Sequence, residues 1–236
     1  MVRTEDFEFE KEIISTGYHI ALPAEIVLDE ACGKLTVTAY SFCVKIAEEY
    51  EARFGDDPFS VEARHFLLEQ IGPIMNELGY DTSWAVDRVH LEYRSADIDR
   101  SKILPECQII SSLDGEIWDE LALDEFELDP DDEIDRMAVI KVDGKIVCYA
   151  GINDISDDDM VELTVECEEQ YRGRGFGSSC VACIADYFAG LGQAVKYVCA
   201  DDNTASVKTA EAAGFRLVSR TLPFVCYKNT DGEDNE

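Results

Sequence analysis

Apolar and polar residues alternate at period two in Phe7-Glu8-Phe9-Glu10 and from Lys34 to Tyr40, and both stretches predict strands. From about Phe42 to Arg53 and from about Val61 to Leu78 the spacing changes to that of a helix. Phe66, Leu67, Ile71, Ile74 and Leu78 form the expected apolar stripe of the second helix, and Gly79 is placed to end it. Val86 to Tyr93 predicts another strand.

The pattern sharpens after Arg136. Met137 to Val142 and Lys145 to Ile152 read as strands joined by Asp143-Gly144, a pair that favours a two-residue hairpin turn. Met160 to Cys167 is the next strand. The run Gln170-Tyr171-Arg172-Gly173-Arg174-Gly175-Phe176-Gly177-Ser178 then opens a helix with Cys180, Ile184, Tyr187, Phe188 and Leu191 along one side. Gly190 and Gly192 end that helix, and Ala194 to Ala200 follows as a strand. Asn203 is a candidate cap for the last helix, with Ser206 in its first turn, and Gly214-Phe215 closes it with glycine in the left-handed position. Leu217 to Tyr227 supplies one or two final strands. Residues 229 to 236 are polar and acidic, the composition of a disordered tail.

Composition narrows the class. The chain of 236 residues is 46% hydrophobic, enough for a packed core. No apolar run reaches the length of a membrane span, and the first residues lack a signal-peptide core, so the expectation is no membrane and a cytoplasmic location. The nine cysteines are odd in number and sit in apolar strand and helix patterns, which reads as buried free thiols. Cys180-x-x-Cys183 is the one tight pair; no second such pair or nearby histidine accompanies it, so no metal site is expected. Asp157-Asp158-Asp159 lacks the spacing of a calcium loop.

A net charge of −31 excludes a nucleic-acid ligand, which needs a basic surface, and favours cationic partners. Residues 119 to 135 hold ten acidic residues and no Lys or Arg. A solvated face is the simpler account of that run; the functional one is an acidic wall that gathers a cationic substrate.

The glycine run carries the clearest chemistry. A strand that breaks into glycines and opens a helix leaves backbone N–H groups pointing outward at the positive end of the helix dipole, which suits phosphate. Gly173, Gly175 and Gly177 let the backbone approach a ligand, and Arg172 and Arg174 add charged donors. A pyrophosphate is the expected occupant. A P-loop is excluded, because no Gly-Lys-Ser/Thr follows. A dinucleotide fold shares the order strand, glycines, helix, strand and Asp201-Asp202, but the spacing is Gly-x-Gly-x-Gly and an Asp-Gly hairpin precedes it.

The order hairpin, strand, Arg172-x-x-Gly175-x-Gly177, helix, strand, Asn203-x-x-Ser206, Ala213-Gly214-Phe215 and final strands resembles the GNAT N-acetyltransferase superfamily over roughly residues 100 to 228. The stretch Glu169-Gln170-Tyr171-Arg172-Gly173 strengthens the resemblance. It implies an α/β fold with a mixed, mostly antiparallel central sheet flanked by helices, preceded here by an additional N-terminal α/β region. The expected domains are 1–100, without assignable chemistry, 101–228, the acetyltransferase-like domain, and the tail 229–236.

The resemblance also implies acetyl-CoA as co-substrate. Backbone amides from Arg172 to Ser178 (Arg172, Gly173, Arg174, Gly175, Phe176, Gly177 and Ser178) would hold its pyrophosphate. Val165 and Cys167, on a strand that splays from its neighbour, would hold the pantetheine and the acetyl carbonyl, with Asn203 and Ser206 beside the arm. Glu162, Thr164 and Glu166 alternate onto one face of that strand, so Glu162 or Glu166 is the candidate general base, with Asp159 a third choice. One departure from the family pattern matters. Many members carry a tyrosine, thought to protonate the leaving thiolate, where this chain has Ala210. The activity implied is acetyl transfer from acetyl-CoA to a primary amine of a cationic acceptor, in a chain for which a homodimer is admitted. A non-catalytic acyl-CoA-binding module and a nicotinamide-linked oxidoreductase are the alternatives.

Overall fold

The computed structural model describes residues 2–4, 11–13, 18–95, 98–111, 136–155 and 160–229. The predicted strand at Phe7–Glu10, the acidic run 119–135, the triplet Asp157–Asp159 and the tail from 230 lie outside them. The first strands are β1 (Val2–Thr4), β2 (Lys11–Ile13), β3 (Tyr18–Asp29) and β4 (Lys34–Ala39). Two helices follow, α1 (Val44–Phe54) and α2 (Val61–Glu77), and then β5 (His90–Ser95), β6 (Cys107–Ser111), β7 (Arg136–Val142), β8 (Lys145–Ile155) and β9 (Val161–Cys167). The chain ends with α3 (Phe176–Gly190), β10 (Val195–Ala200), α4 (Thr204–Ala213) and β11 (Phe215–Asn229).

Two compact units result: Met1–Leu91 with Val218–Glu236, and Glu92–Leu217. The division expected from sequence ran at 100/101 and kept the last strand with the second domain. The compact units instead group Val218 onward with the N-terminal residues, because β11 pairs antiparallel with β3 from Ser219↔Asp29 to Asn229↔Tyr18. In both units antiparallel pairs dominate, with parallel pairing only at β1–β4 and β9–β10 among the described ladders. The fold class is therefore the expected mixed, mostly antiparallel sheet with flanking helices.

In the first unit the strand order is β1-β4-β3-β11, with β2 also on β3. Sequence reasoning missed β3, whose Pro23 argues against a strand interior. The proline falls between two pairings: β2 meets β3 at Tyr18–Ile20 and β4 meets it from Ala24 onward. On the β11 side the register shifts between Phe224 and Cys226, a bulge opposite the same place. No ladder bond needs the N–H that Pro23 lacks. The stripe of α2 runs through Phe66, Leu67, Ile71 and Met75, not on to Leu78, which is 46% exposed where Gly79 (φ 88°) turns the chain. Val86–Tyr93 is a strand only from His90; turns precede it.

In the second unit the order is β5-β10-β9-β8-β7-β6. Asp143 (φ 52°) and Gly144 (φ 82°) both take the left-handed conformation that a tight hairpin turn requires, as the Asp-Gly pair predicts. Helix α3 packs on β6 to β9 and on α4. It buries Cys180, Val181, Ile184, Ala185 and Phe188. Leu191, expected on the same face, is 62% exposed, since the helix has ended and Gly192 (φ 80°) redirects the chain.

Candidate active site

The N-termini of α3 and α4 open on one cleft of about 680 Å³ in the second unit, with the end of β9 along its wall. Strand β9 pairs with β8 along its length, down to Cys148↔Cys167. With β10 it pairs only from Val195↔Val161 to Tyr197↔Leu163. The two parallel strands separate beyond Leu163, and the cleft lies where they part. Backbone alternation decides what faces it. The Val161 N–H donates to Ala194 O at 2.9 Å on the β10 side, so the N–H groups of Val165 and Cys167 point to that same edge. The Glu168 N–H, one residue out of phase, donates to Val147 O on the β8 side. Val165 and Cys167 thus present backbone donors and acceptors to the cleft along a strand edge that β10 has left.

The loop beyond β9 makes one 3-10 turn, Glu169–Tyr171, and then uses Gly173 (φ 76°) and Gly175 (φ 83°) to swing into α3. A Cβ would meet nothing within 4 Å at either glycine, so the left-handed backbone, not space, demands glycine there. Gly177 differs: a Cβ would sit 3.6 Å from Thr209 Cγ2 and 3.7 Å from Val165 Cγ2, ordinary contact where α3, α4 and β9 meet. Gly175 occupies the N-cap position of α3 with no side-chain cap, and the first turn carries no acid. The first intrahelical bond is Ser179 N–H to Gly175 O, 3.0 Å. The N–H groups of Phe176, Gly177 and Ser178 therefore have no acceptor within the helix. All three residues line the cleft.

The two arginines of the loop divide. Arg172 lines the cleft and donates Nε–H to Cys167 O at 3.0 Å. Arg174 is not among the lining residues; its guanidinium lies over the Tyr171 ring at 5.0 Å and donates to Gln170 O. Asn203 lines the cleft and also caps α4, its Oδ1 accepting from Ser206 N–H at 3.1 Å. Ser206 lines it too and hydrogen-bonds the buried Tyr197, whose phenol burial pushes up and that bond pulls partly back.

The two candidate carboxylates also separate. Glu166 lines the cleft and accepts from Tyr149 Oη–H at 2.8 Å, its cross-strand partner. Glu162 is not a lining residue. Its side chain, 20% exposed, lies 3.4 Å from Lys196 Nζ and accepts from Asn153 Nδ2 at 3.0 Å. Cys167 is no nucleophile here: burial first, then the neighbouring Cys148, push its thiol up to about 12. Ala210 is fully buried. Among the described residues no group of His, Cys, Asp or Glu is arranged to hold a metal ion, and no helix is long and apolar enough to cross a membrane.

Sequence reasoning did not foresee Tyr171, Thr204, Ala205, Lys208 and Thr209 in the lining. Ala205, Lys208 and Thr209 are three and four residues apart, one face of a helix whose other face buries Ala210 and Ala213. That period was the available signal. Among the described residues Lys208 joins Arg172 as a second cation against one lining carboxylate, Glu166, so their part of the cleft is locally cationic in a chain of net charge −31.

Residues 102–215, all within this second unit, match the family model of the acetyltransferase (GNAT) family. Residues 102–215 form a GNAT-family domain. No curated protein matches the chain. Among solved structures, a GNAT-family protein from Novosphingobium aromaticivorans is 18% identical, with 60% of this chain and 65% of that one covered at a TM-score of 0.47. A GNAT acetyltransferase from Colwellia psychrerythraea is 15% identical over 60% of this chain and 56% of its own, TM-score 0.44. A GCN5-related N-acetyltransferase from Sphaerobacter thermophilus is 12% identical over 91% and 77%, TM-score 0.47. The chain thus spans less than two thirds of the length of the first two. Every expected cofactor-binding residue except Arg174 lines the cleft of the GNAT domain.

Proposed function

We propose that the cleft binds acetyl-CoA and that the protein transfers its acetyl group to a primary amine of a cationic acceptor. One observation carries the reading: an uncapped, acid-free helix start opens on a cleft whose opposite wall is a strand edge without its neighbour. The first suits a pyrophosphate; the second suits the amides of a pantetheine arm, which can be added to a free strand edge as a peptide is. Arg172 and Lys208 complement the phosphates.

Acetyl transfer needs a neutral amine. A lysine-like amine with a pKa near 10.4 is neutral in roughly one molecule of a few thousand at pH 7, which costs about 4–5 kcal/mol. Glu166 takes the role of general base, directly or through one water, because it lies in the cleft and, among the described residues, its carboxylate is held by the Tyr149 phenol and not by a cation. Glu162 serves less well, since Lys196 already occupies its charge. The Val165 or Cys167 N–H meets the oxyanion of the tetrahedral intermediate. The leaving thiolate takes its proton from water or from Ser206, which is backed by Tyr197. The net charge of −31 favours polyamine-like or other cationic acceptors.

A second reading, a non-catalytic acyl-CoA-binding module, is favoured by one feature, the fully buried Ala210 where many family members carry a tyrosine. Release of free CoA thiol across an amine panel, with Glu166→Gln as the variant, separates them. An enzyme loses about 10²–10⁴ in kcat and keeps its acetyl-CoA affinity; a binding module turns over no amine. A thermal melt tests both: acetyl-CoA at a hundred times its dissociation constant adds about 2.7 kcal/mol and NAD adds nothing. No shift at millimolar acetyl-CoA overturns both.

A further inference from the structure

Five of the nine cysteines form one chain of contacts between α3 and the strands beneath it. Cys107 Sγ lies 4.0 Å from Cys180 Sγ and 3.9 Å from Ser179 O. Cys183, one turn along α3, is also within hydrogen-bonding reach of Cys107. Cys180 donates Sγ–H to Cys148 O at 3.8 Å, and Cys148 in turn contacts Cys167. Apart from the backbone of Cys167, none of these residues enters the acetyl-transfer reading.

The members differ in access. Cys180 and Cys148 are buried; Cys107 and Cys183 are partly exposed. Cys107 opens β6, the last strand of its order, which pairs with β7 on one side. Cys107 is thus partly open to solvent and in contact with the buried Cys180. We propose that Cys107 is an oxidation site for peroxide and that Cys180 resolves it, closing a reversible disulfide between β6 and α3. The Cys107 thiolate attacks one peroxide oxygen, the O–O bond breaks, and water leaves once the other oxygen is protonated. The product is a sulfenic acid on Cys107. The Cys180 sulfur attacks it, the S–S bond forms, and the hydroxyl leaves as water with the Cys180 proton. Two thiols and one peroxide give one disulfide and two waters.

Geometry and electrostatics agree. A disulfide needs the sulfurs at about 2.05 Å, so the 4.0 Å gap closes by about 2 Å, within side-chain rotation and the give of β6, the last strand of the order among the described residues. Contact with the Cys180 thiol first, and then with Cys183, holds Cys107 below the ordinary thiol range against the cost of its burial. The same contacts push Cys180 and Cys183 up, and of the two lowered members, Cys107 and the buried Cys148, only Cys107 has access to solvent. Attack by the thiolate is what peroxide chemistry requires.

The test is peptide mapping of the reduced full chain after stoichiometric hydrogen peroxide, with reactive thiols counted by alkylation. Wild type loses two thiols and yields a tryptic fragment containing Cys107 disulfide-linked to the fragment 175–196. C107S and C180S lose that linkage and C183S keeps it. Persistence of the linkage in C180S, or its absence in wild type, overturns the proposal. Should the buried C180S substitution unfold the protein, unmodified wild type still decides. At pH 6 Cys107 is alkylated about tenfold faster than the exposed Cys32. Equal or slower reaction overturns the assignment.

Discussion

Helices α3 and α4 start on the same cleft and solve the same problem in opposite ways. Every helix leaves its first N–H groups without partners. At α4 the chain supplies its own acceptor, Asn203 Oδ1 on Ser206 N–H. At α3 it supplies none: Gly175 has no side chain to offer and no acid stands in the first turn. The capped end is a finished piece of structure that happens to line the cleft. The uncapped end leaves its N–H groups to water or to an anion, which is why the two starts carry different expectations although both border the cavity.

Five substitutions break or sharpen this contrast. Gly175→Val forces a β-branched residue to φ 83° and disturbs the amide cradle. Acetyl-CoA affinity by calorimetry should fall about thirtyfold, roughly 2 kcal/mol, alongside a strain cost of about 1–2 kcal/mol to the fold. Loss of stability with affinity unchanged would mean that the α3 start holds no ligand. Ser178→Asp separates the two roles by sign. An acid in the first turn stabilises a helix by about 0.3–1 kcal/mol, so the melt should rise slightly while acetyl-CoA affinity drops about tenfold, less at high salt. Arg172→Ala should weaken binding about fivefold and Arg174→Ala less than twofold, because only the former lines the cleft. Asn203→Ala should cost about 1 kcal/mol in denaturant unfolding and change affinity less than twofold. A tenfold affinity loss at Asn203 would erase the distinction between the two helix starts.

Much of the second unit was legible in the sequence because its signals are local. Asp143-Gly144 sets a turn through two left-handed residues, Gly214 (φ 95°) ends α4, and Asn203 caps it, each decided within a few residues of chain. The first unit was less legible. Pro23 hid β3 because its tolerance depends on a gap between two partner strands and a bulge on a third, none of which is near it in sequence. Glu162 and Glu166 are equivalent by alternation, and only the neighbours on β8 and β10 divide them, Tyr149 for one and Lys196 for the other. Cys180-x-x-Cys183 looked like plain helix packing until β6 brought Cys107 against it.

The sequence by itself determined the glycine turn into α3, its missing cap, and the order of elements that resembles an acetyltransferase, since backbone conformation and capping act over a few residues. Tertiary structure alone decided where β9 and β10 part, that Lys208 and Thr209 face the gap, and which carboxylate stands in it. Those outcomes depend on strand register and helix packing between distant segments. No local period encodes where a ladder of hydrogen bonds will stop.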